Sequence, residues 1–168
     1  MKKEITFWEV IKIDKQLNSF KSFVVLLMYR IQHYYYDKNN RLLLHAMGVV
    51  KFALFRILGI DAQIFYPAQI GHHVKFPHSA MGVVISPKSV IGNNVTIYHQ
   101  VTLGINGSKP LNKQSIVIKD NCVISVGCKI ISCVIGENCR IAPNTCVYED
   151  MPPDMICYTK IEMKSRRM

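Results

Sequence analysis

Acidic residues are scarce in this chain: 11 Asp and Glu face 21 Lys and Arg, leaving 168 residues with a net charge of +10. That balance points toward anionic partners, whether nucleic acid, a membrane surface or a phosphorylated cofactor. No aromatic-plus-basic RNA-binding signature and no zinc-finger spacing accompanies the charge, which argues against nucleic acid. Cys122, Cys128, Cys133, Cys139, Cys146 and Cys157 contain no C-x-x-C pair. Zinc ligation is therefore not expected, and in a reducing cytoplasm these are free thiols. An uninterrupted apolar stretch is lacking as well. The opening "MKKEITFWEVIKIDKQ" places Glu4, Glu9 and Asp14 where an export leader needs apolar residues, so a cytoplasmic protein is expected. Nothing in the composition suggests disorder. A hydrophobic content of 49% is enough to bury a core, and the length suits one domain plus an appendage.

What the chain does have is a period of six. Aliphatic or aromatic residues recur at Ile64, Ile70 and Phe76, at Ile85, Ile91, Ile97 and Leu103, at Ile118, Ile124 and Ile130, and at Ile135, Ile141 and Val147. Neither the helical period of 3.6 nor the strand period of 2 produces this recurrence, but short strands separated by turns do. "IGNNVT" and "IGENCR" each begin Ile-Gly, pass through turn-prone residues and put a small or β-branched residue fifth. This is the hexapeptide repeat of a left-handed parallel β-helix, in which each hexad forms one side of a triangular coil. The fifth place holds Val74, Ser89, Val95, Val101, Cys122, Cys128, Cys139 and Thr145. Three of the six cysteines are thereby explained as small core residues.

The register slips at three places. Phe76 to Ile85 is nine residues, Leu103 to Ile118 is fifteen, and Ile130 to Ile135 is five. The first two overshoot a multiple of six, so chain leaves the coil there. "GINGSKPLNKQS" reads as an exposed loop over residues 105–116. "KFPHSAMG" places His78 in the other excursion, and in a rigid repetitive scaffold such departures are where chemistry is expected.

Residues 1–60 lack the repeat. "FKSFVVLLMYRIQHYYY" and "RLLLHAMGVVKFALFRILG" have helix length and helix-type residues, break at Asp37-Lys-Asn-Asn40, and stop at Gly59. The second cannot span a bilayer, because its longest stretch without Lys or Arg is residues 42–50, against the roughly 20 residues a span needs. Arg41, His45 and Arg56 fall within a narrow arc, leaving a wide apolar face. A cap packed on the coil or on a neighbouring subunit is expected, with peripheral attachment to the inner face of an anionic membrane as the alternative. Tyr34, Tyr35 and Tyr36 are assigned to packing, His33 and His45 to packing or surface, and His72 and His73 to a turn. The expected fold is therefore mainly β: a left-handed β-helix over residues 61–157, a helical segment before it and a basic tail, residues 158–168, after it.

Hexads behind a helical segment, together with "YRIQH…LGID" and "VTIYHQVTLGINGSKP", resemble the serine O-acetyltransferase group of hexapeptide-repeat acyltransferases over residues 23–150. In length and layout the chain looks closest to short enzymes that acetylate exopolysaccharide or capsule sugars. The resemblance implies a homotrimer, with pairing into hexamers left open, and acetyl-CoA as acyl donor in the groove between coils. It also implies that His78, eight residues after Ile70, is the general base, and that no metal is used. A neutral imidazole can take the proton of a hydroxyl as it attacks the thioester carbonyl. Gln63 stands where the family keeps the aspartate that orients the histidine, and Pro77 where it has a second aspartate. The Arg-His pair that holds serine's carboxylate has no clear match in "LNKQSIVI". A neutral sugar hydroxyl is therefore the expected acceptor, with free serine, or a scaffold that has lost catalysis, as the alternatives. His99 matches a polar family position and either lines the acceptor site, acts as a second base or is structural. For acetyl-CoA the resemblance points to Gly104, to Asn106 and Gly107 in the loop, and to Ser125 and Gly127 in the next coils. In the tail, Lys160 and Lys164 either meet the nucleotide phosphates or are simply solvated.

Overall fold

The computed structural model describes residues 5–159, beginning with three helices: α1 (Phe7–Leu17), α2 (Phe20–Asp37) and α3 (Arg41–Leu58). Helix α1 is an element that the six-residue period and the tyrosine-rich segments do not announce. Its start is written in "TFWE": Thr6 Oγ1 accepts from Glu9 N–H at 3.3 Å while Thr6 N–H donates to Glu9 Oε2 at 2.8 Å, a reciprocal cap. Between α2 and α3 the chain turns through Lys38 and Asn39, and Asn40 caps α3 by accepting from Leu43 N–H at 3.1 Å. Gly59, at φ 61°, ends α3 in the left-handed conformation that a residue with a Cβ resists. No helix among the described residues is long and apolar enough to cross a membrane.

The remainder is a three-sided coil of short parallel strands: β1 (Gln63–Ile64), β2 (Gln69–Ile70), β3 (Val84–Ile85), β4 (Ser89–Ile91), β5 (Thr96–Ile97), β6 (Thr102–Gly104), β7 (Ile116–Ile118), β8 (Val123–Ile124), β9 (Lys129–Ile131), β10 (Val134–Ile135), β11 (Arg140–Ile141), β12 (Cys146–Val147) and β13 (Ile156–Cys157). They stack as β1-β3-β6-β9-β12, β2-β4-β7-β10 and β5-β8-β11-β13. Neighbours within a stack are thus one coil apart, and three six-residue sides complete each coil. All of the six-residue aliphatic positions, from Ile64 to Val147, are buried, as are the fifth-place residues. Each fully buried Ile contributes roughly 1.5–3 kcal/mol relative to an exposed one. Cys122, Cys128 and Cys139 lie in the core as expected, joined there by Cys133.

The turns explain the polar letters of the repeat. Asn94, Asn121, Asn138 and Asp154 all have φ between 55° and 62°. Their side chains form a ladder up one corner, each amide donating to the next oxygen at 3.2, 3.0 and 2.8 Å. Asn is favoured in this left-handed conformation because its short side chain finds such partners. Gly92, the glycine of "IGNN", has the next coil's backbone against it: a Cβ there would lie 2.9 Å from Asp120 N.

Helices and coil are locked together by polar groups from the first two helices. Asp14, fully buried, pairs with Arg30 at 3.0 Å. Arg30 then donates to the carbonyls of Ile70 and Gly71. Asn18 bridges Val74 O (3.1 Å) and Phe76 N (2.8 Å), Ser22 donates to Phe76 O (2.7 Å), and Tyr29 donates to Ala68 O (2.7 Å). Burial pushes the Asp14 carboxyl up and the Arg30 guanidinium draws it back, with a net rise. These bonds hold the stretch from Ala68 to Phe76, which leads directly into the first excursion from the coil.

Candidate active site

In that excursion, His78, Ser79 and Ala80 have φ of 54°, 61° and 54°. Three consecutive left-handed residues without a glycine cost about 1–2 kcal/mol each, so the turn persists only because its surroundings determine it. Ala80 is buried, Met81 N–H donates to His78 O at 3.2 Å, and Gln100 N–H donates to Met81 O at 2.8 Å. Asp61 closes the far side, its Oδ1 accepting from Gly82 N–H at 3.0 Å. The result is that Ala80 faces the core while the His78 side chain stands on the exposed surface.

The structure brings His78 and His99 together. Their rings are 4.8 Å apart and nearly perpendicular, with the Tyr98 ring 6.2 Å from His78. His99 Nδ1 is buried and has no hydrogen-bond partner among the described residues. Gln63 is not part of this cluster. It sits exposed in β1, paired with Val84, and among the described residues its side chain makes no hydrogen bond to His78. Asp61, two residues earlier, is the carboxylate that reaches the His78 turn. Its signal in the sequence is its place in "LGIDAQ", directly after the helix stop at Gly59.

The other histidines lie elsewhere. His33 stacks on Tyr29 and meets Tyr66 O at 2.7 Å, His45 meets Arg41 O, and His72 and His73 share a turn with ring nitrogens 2.7 Å apart. Burial, then His73, lowers the pKa of His72. No group of three His, Cys, Asp or Glu suited to a metal ion occurs among the described residues.

The residues proposed for acyl-donor binding differ in setting. Gly104 ends β6, and a side chain there would press on Ile131 Cδ1 at 3.0 Å. Asn106 anchors the extruded loop, donating its N–H to Ser132 Oγ (2.8 Å) and accepting from Ser108 N–H (2.9 Å). Lys109 pins the same loop through the carbonyls of Ser132 and Tyr148, whereas Gly107 has open space around it. Ser125 is half-buried. Gly127 is buried at φ 72°, and a Cβ would collide with Asn144 Oδ1 at 2.1 Å, so its smallness serves a corner rather than an open surface. Lys160 and Lys164 lie outside the described residues.

No family profile matches the chain. Among individual proteins, it is 37% identical over 130 residues to a serine acetyltransferase of Mycobacterium tuberculosis, a match spanning 76% of this chain and 53% of that one. It is 34% identical over 146 residues to a serine acetyltransferase of Helicobacter pylori, covering 86% of this chain and 78% of the relative. The crystal structure of Neisseria gonorrhoeae serine acetyltransferase in complex with serine superposes with a TM-score of 0.70 at 27% identity, covering 84% of this chain and 55% of that one. The chain thus spans about half the length of the Mycobacterium relative. These matches overturn the expectation of a sugar acceptor and of a closest likeness to exopolysaccharide enzymes. That expectation took the missing carboxylates at Gln63 and Pro77 as a missing function. The fold does place one carboxylate near this turn, that of Asp61, but it accepts from Gly82 N–H and holds the turn rather than standing in for either missing group. At 34% identity over most of the Helicobacter pylori enzyme, the chain belongs to the serine acetyltransferase family.

Proposed function

We propose that this chain transfers acetyl from acetyl-CoA to the hydroxyl of serine, with His78 as general base. The observation that carries the reading is the exposed His78 on a strained, multiply anchored turn with His99 against it, in a chain of this family. Neutral His78 removes the hydroxyl proton as the serine oxygen bonds to the thioester carbonyl carbon. Collapse of the tetrahedral adduct breaks the C–S bond, and the imidazolium returns its proton to the departing thiolate. His99, whose ring lies 4.8 Å from that of His78, orients the acceptor or the adduct. Asp61 positions the turn through Gly82 and does not touch the reacting atoms.

Gly104, Asn106, Gly107 and Ser125 line the donor side in this reading, with the tail lysines Lys160 and Lys164 as further contacts to the nucleotide phosphates. The coil winds left-handed and the working assembly is a homotrimer, readings supported by the hexapeptide repeat. The test is CoA thiol release with serine and acetyl-CoA. His78→Ala is expected to abolish serine-dependent release at unchanged helix and strand content. Retention of a tenth or more of kcat/KM, or release with sugars in place of serine, would rule the proposal out.

A further inference from the structure

A cavity of about 490 Å³ lies between α3 and the first turn of the coil, and a second of about 360 Å³ adjoins it, sharing Gln32, Gly48, Phe52 and Tyr66. The volume is in the range of sites for small organic ligands. Neither chamber is lined by His78 or His99. Much of the wall is apolar, from Phe52, Phe55, Ile60 and Ile64, but the polar side chains of Lys51, Arg56, Gln32, Asp61, Gln63 and Tyr66 interrupt it.

Lys51 is the first. Its Nζ donates to Ile64 O at 3.1 Å and lies 5.4 Å from the centre of the Phe55 ring, and among the described residues no carboxylate is within ion-pair distance. Two of its three protons therefore remain to be used. Arg56 is the second, lying over Phe52 at 5.7 Å, again without a carboxylate partner among the described residues. The third is Gln32, which is 5% exposed and whose Oε1 has no hydrogen-bond partner among the described residues. The one acidic side chain on the wall, Asp61, has an oxygen engaged by Gly82 N–H.

A partly desolvated ammonium without a counter-ion is costly, and an unpaired buried amide adds to that cost. Apolar walls carrying the half-buried ammonium of Lys51, with the exposed guanidinium of Arg56 beside it, match a ligand with an apolar body and one anionic end. We infer that this cavity binds a small carboxylate with an apolar body, the carboxylate held by Lys51 and the body packed among Phe52, Phe55 and Ile64. A carboxylate suits Lys51 because charge-assisted bonds are roughly twice as strong as neutral ones, and stronger still out of water. Gln32 then sits where a donor on the ligand, or a water carried with it, is satisfied. This inference does not depend on the transfer reaction proposed above.

The test is calorimetric titration of the full chain with phenylacetate, against phenylacetamide as the uncharged isostere and inorganic phosphate as the anion without a body. Saturable phenylacetate binding is expected, with both controls at least tenfold weaker. Lys51→Met lowers the affinity at least tenfold. Gly48→Leu abolishes it by filling the space beside Gln32, where a Cβ at position 48 already lies 3.8 Å from Nε2. That change also replaces a helix-interior glycine with a better helix former, so circular dichroism should report an intact fold. His78→Ala binds phenylacetate as the unaltered chain does, which separates this cavity from the transfer site. Absence of saturable phenylacetate binding, equal affinity for phenylacetamide or phosphate, or loss of binding in His78→Ala would overturn the inference.

Discussion

Replacing Arg30 with Met removes the guanidinium that pairs with buried Asp14 while keeping most of the side chain's length. Asp14 is fully buried, its Oδ1 has no partner among the described residues, and Oδ2 depends on Arg30 Nε at 3.0 Å. The substitution also strips the carbonyls of Ile70 and Gly71 of their donors. Breaking a buried pair from one side costs about 3–5 kcal/mol, a large part of the roughly 5–15 kcal/mol that holds a typical domain together. The deficit should depend on pH in a defined direction. Burial raises the Asp14 carboxyl above its ordinary 3.8, and without Arg30 to draw it back it rises further. A carboxyl whose folded pKa exceeds its unfolded one weakens the fold above the folded value, and the loss is recovered as pH falls through it toward 3.8. Urea unfolding at neutral pH and near pH 5 should therefore show a smaller gap between Arg30→Met and the unaltered chain at the lower pH. Asp14→Leu combined with Arg30→Met should recover much of the loss, since an apolar pair leaves no buried charge. A neutral-pH change under about 1 kcal/mol, or a gap that widens on acidification, would refute the account of this clamp.

Asp61→Ala should lower kcat for serine-dependent thiol release about tenfold with little change in KM for acetyl-CoA, and Asp61→Asn should restore most of it, because an amide oxygen still accepts from Gly82 N–H. Equal losses in both variants would show that the charge, not the hydrogen bond, matters. Thiol labelling of the native chain at pH 8 should reach Cys146 first and leave Cys122, Cys128, Cys133 and Cys139 unmodified until denaturant is added. Burial pushes the Cys122 and Cys133 thiols up to about 11, and only Cys146 is exposed among the six. Rapid labelling of four or more sites would contradict the packed core.

The period of six was legible because each hexad repeats one physical demand, an aliphatic side chain inward and a small one beside it, so composition at fixed spacing carries the whole coil. The α2–α3 break and the stop at Gly59 were legible for a similar reason, since caps act over three or four residues. Helix α1 also carries a local signal, in Thr6 and Glu9. The Arg30 clamp carries none, because its acceptors are backbone carbonyls 40 and 41 residues away. The sugar acceptor expected from Gln63 and Pro77 gives way to the serine acetyltransferase relatives, because a single position does not record which other groups the fold brings beside it.

Spacing placed His78 in a three-residue excess over the repeat, and the family resemblance gave it the role of base. Neither supplied its company: that His99 lies across from it, that Asp61 anchors its turn and that Gln63 stands aside depend on how one coil stacks on the next and on where the chain leaves α3. The sequence by itself determined the coil, its corners and its buried cysteines, since those arise from interactions between a residue and its counterpart one turn on. Only the tertiary structure decided the site and the cavity behind α3, because both are assembled by residues from different elements, and no local pattern records which of them meet.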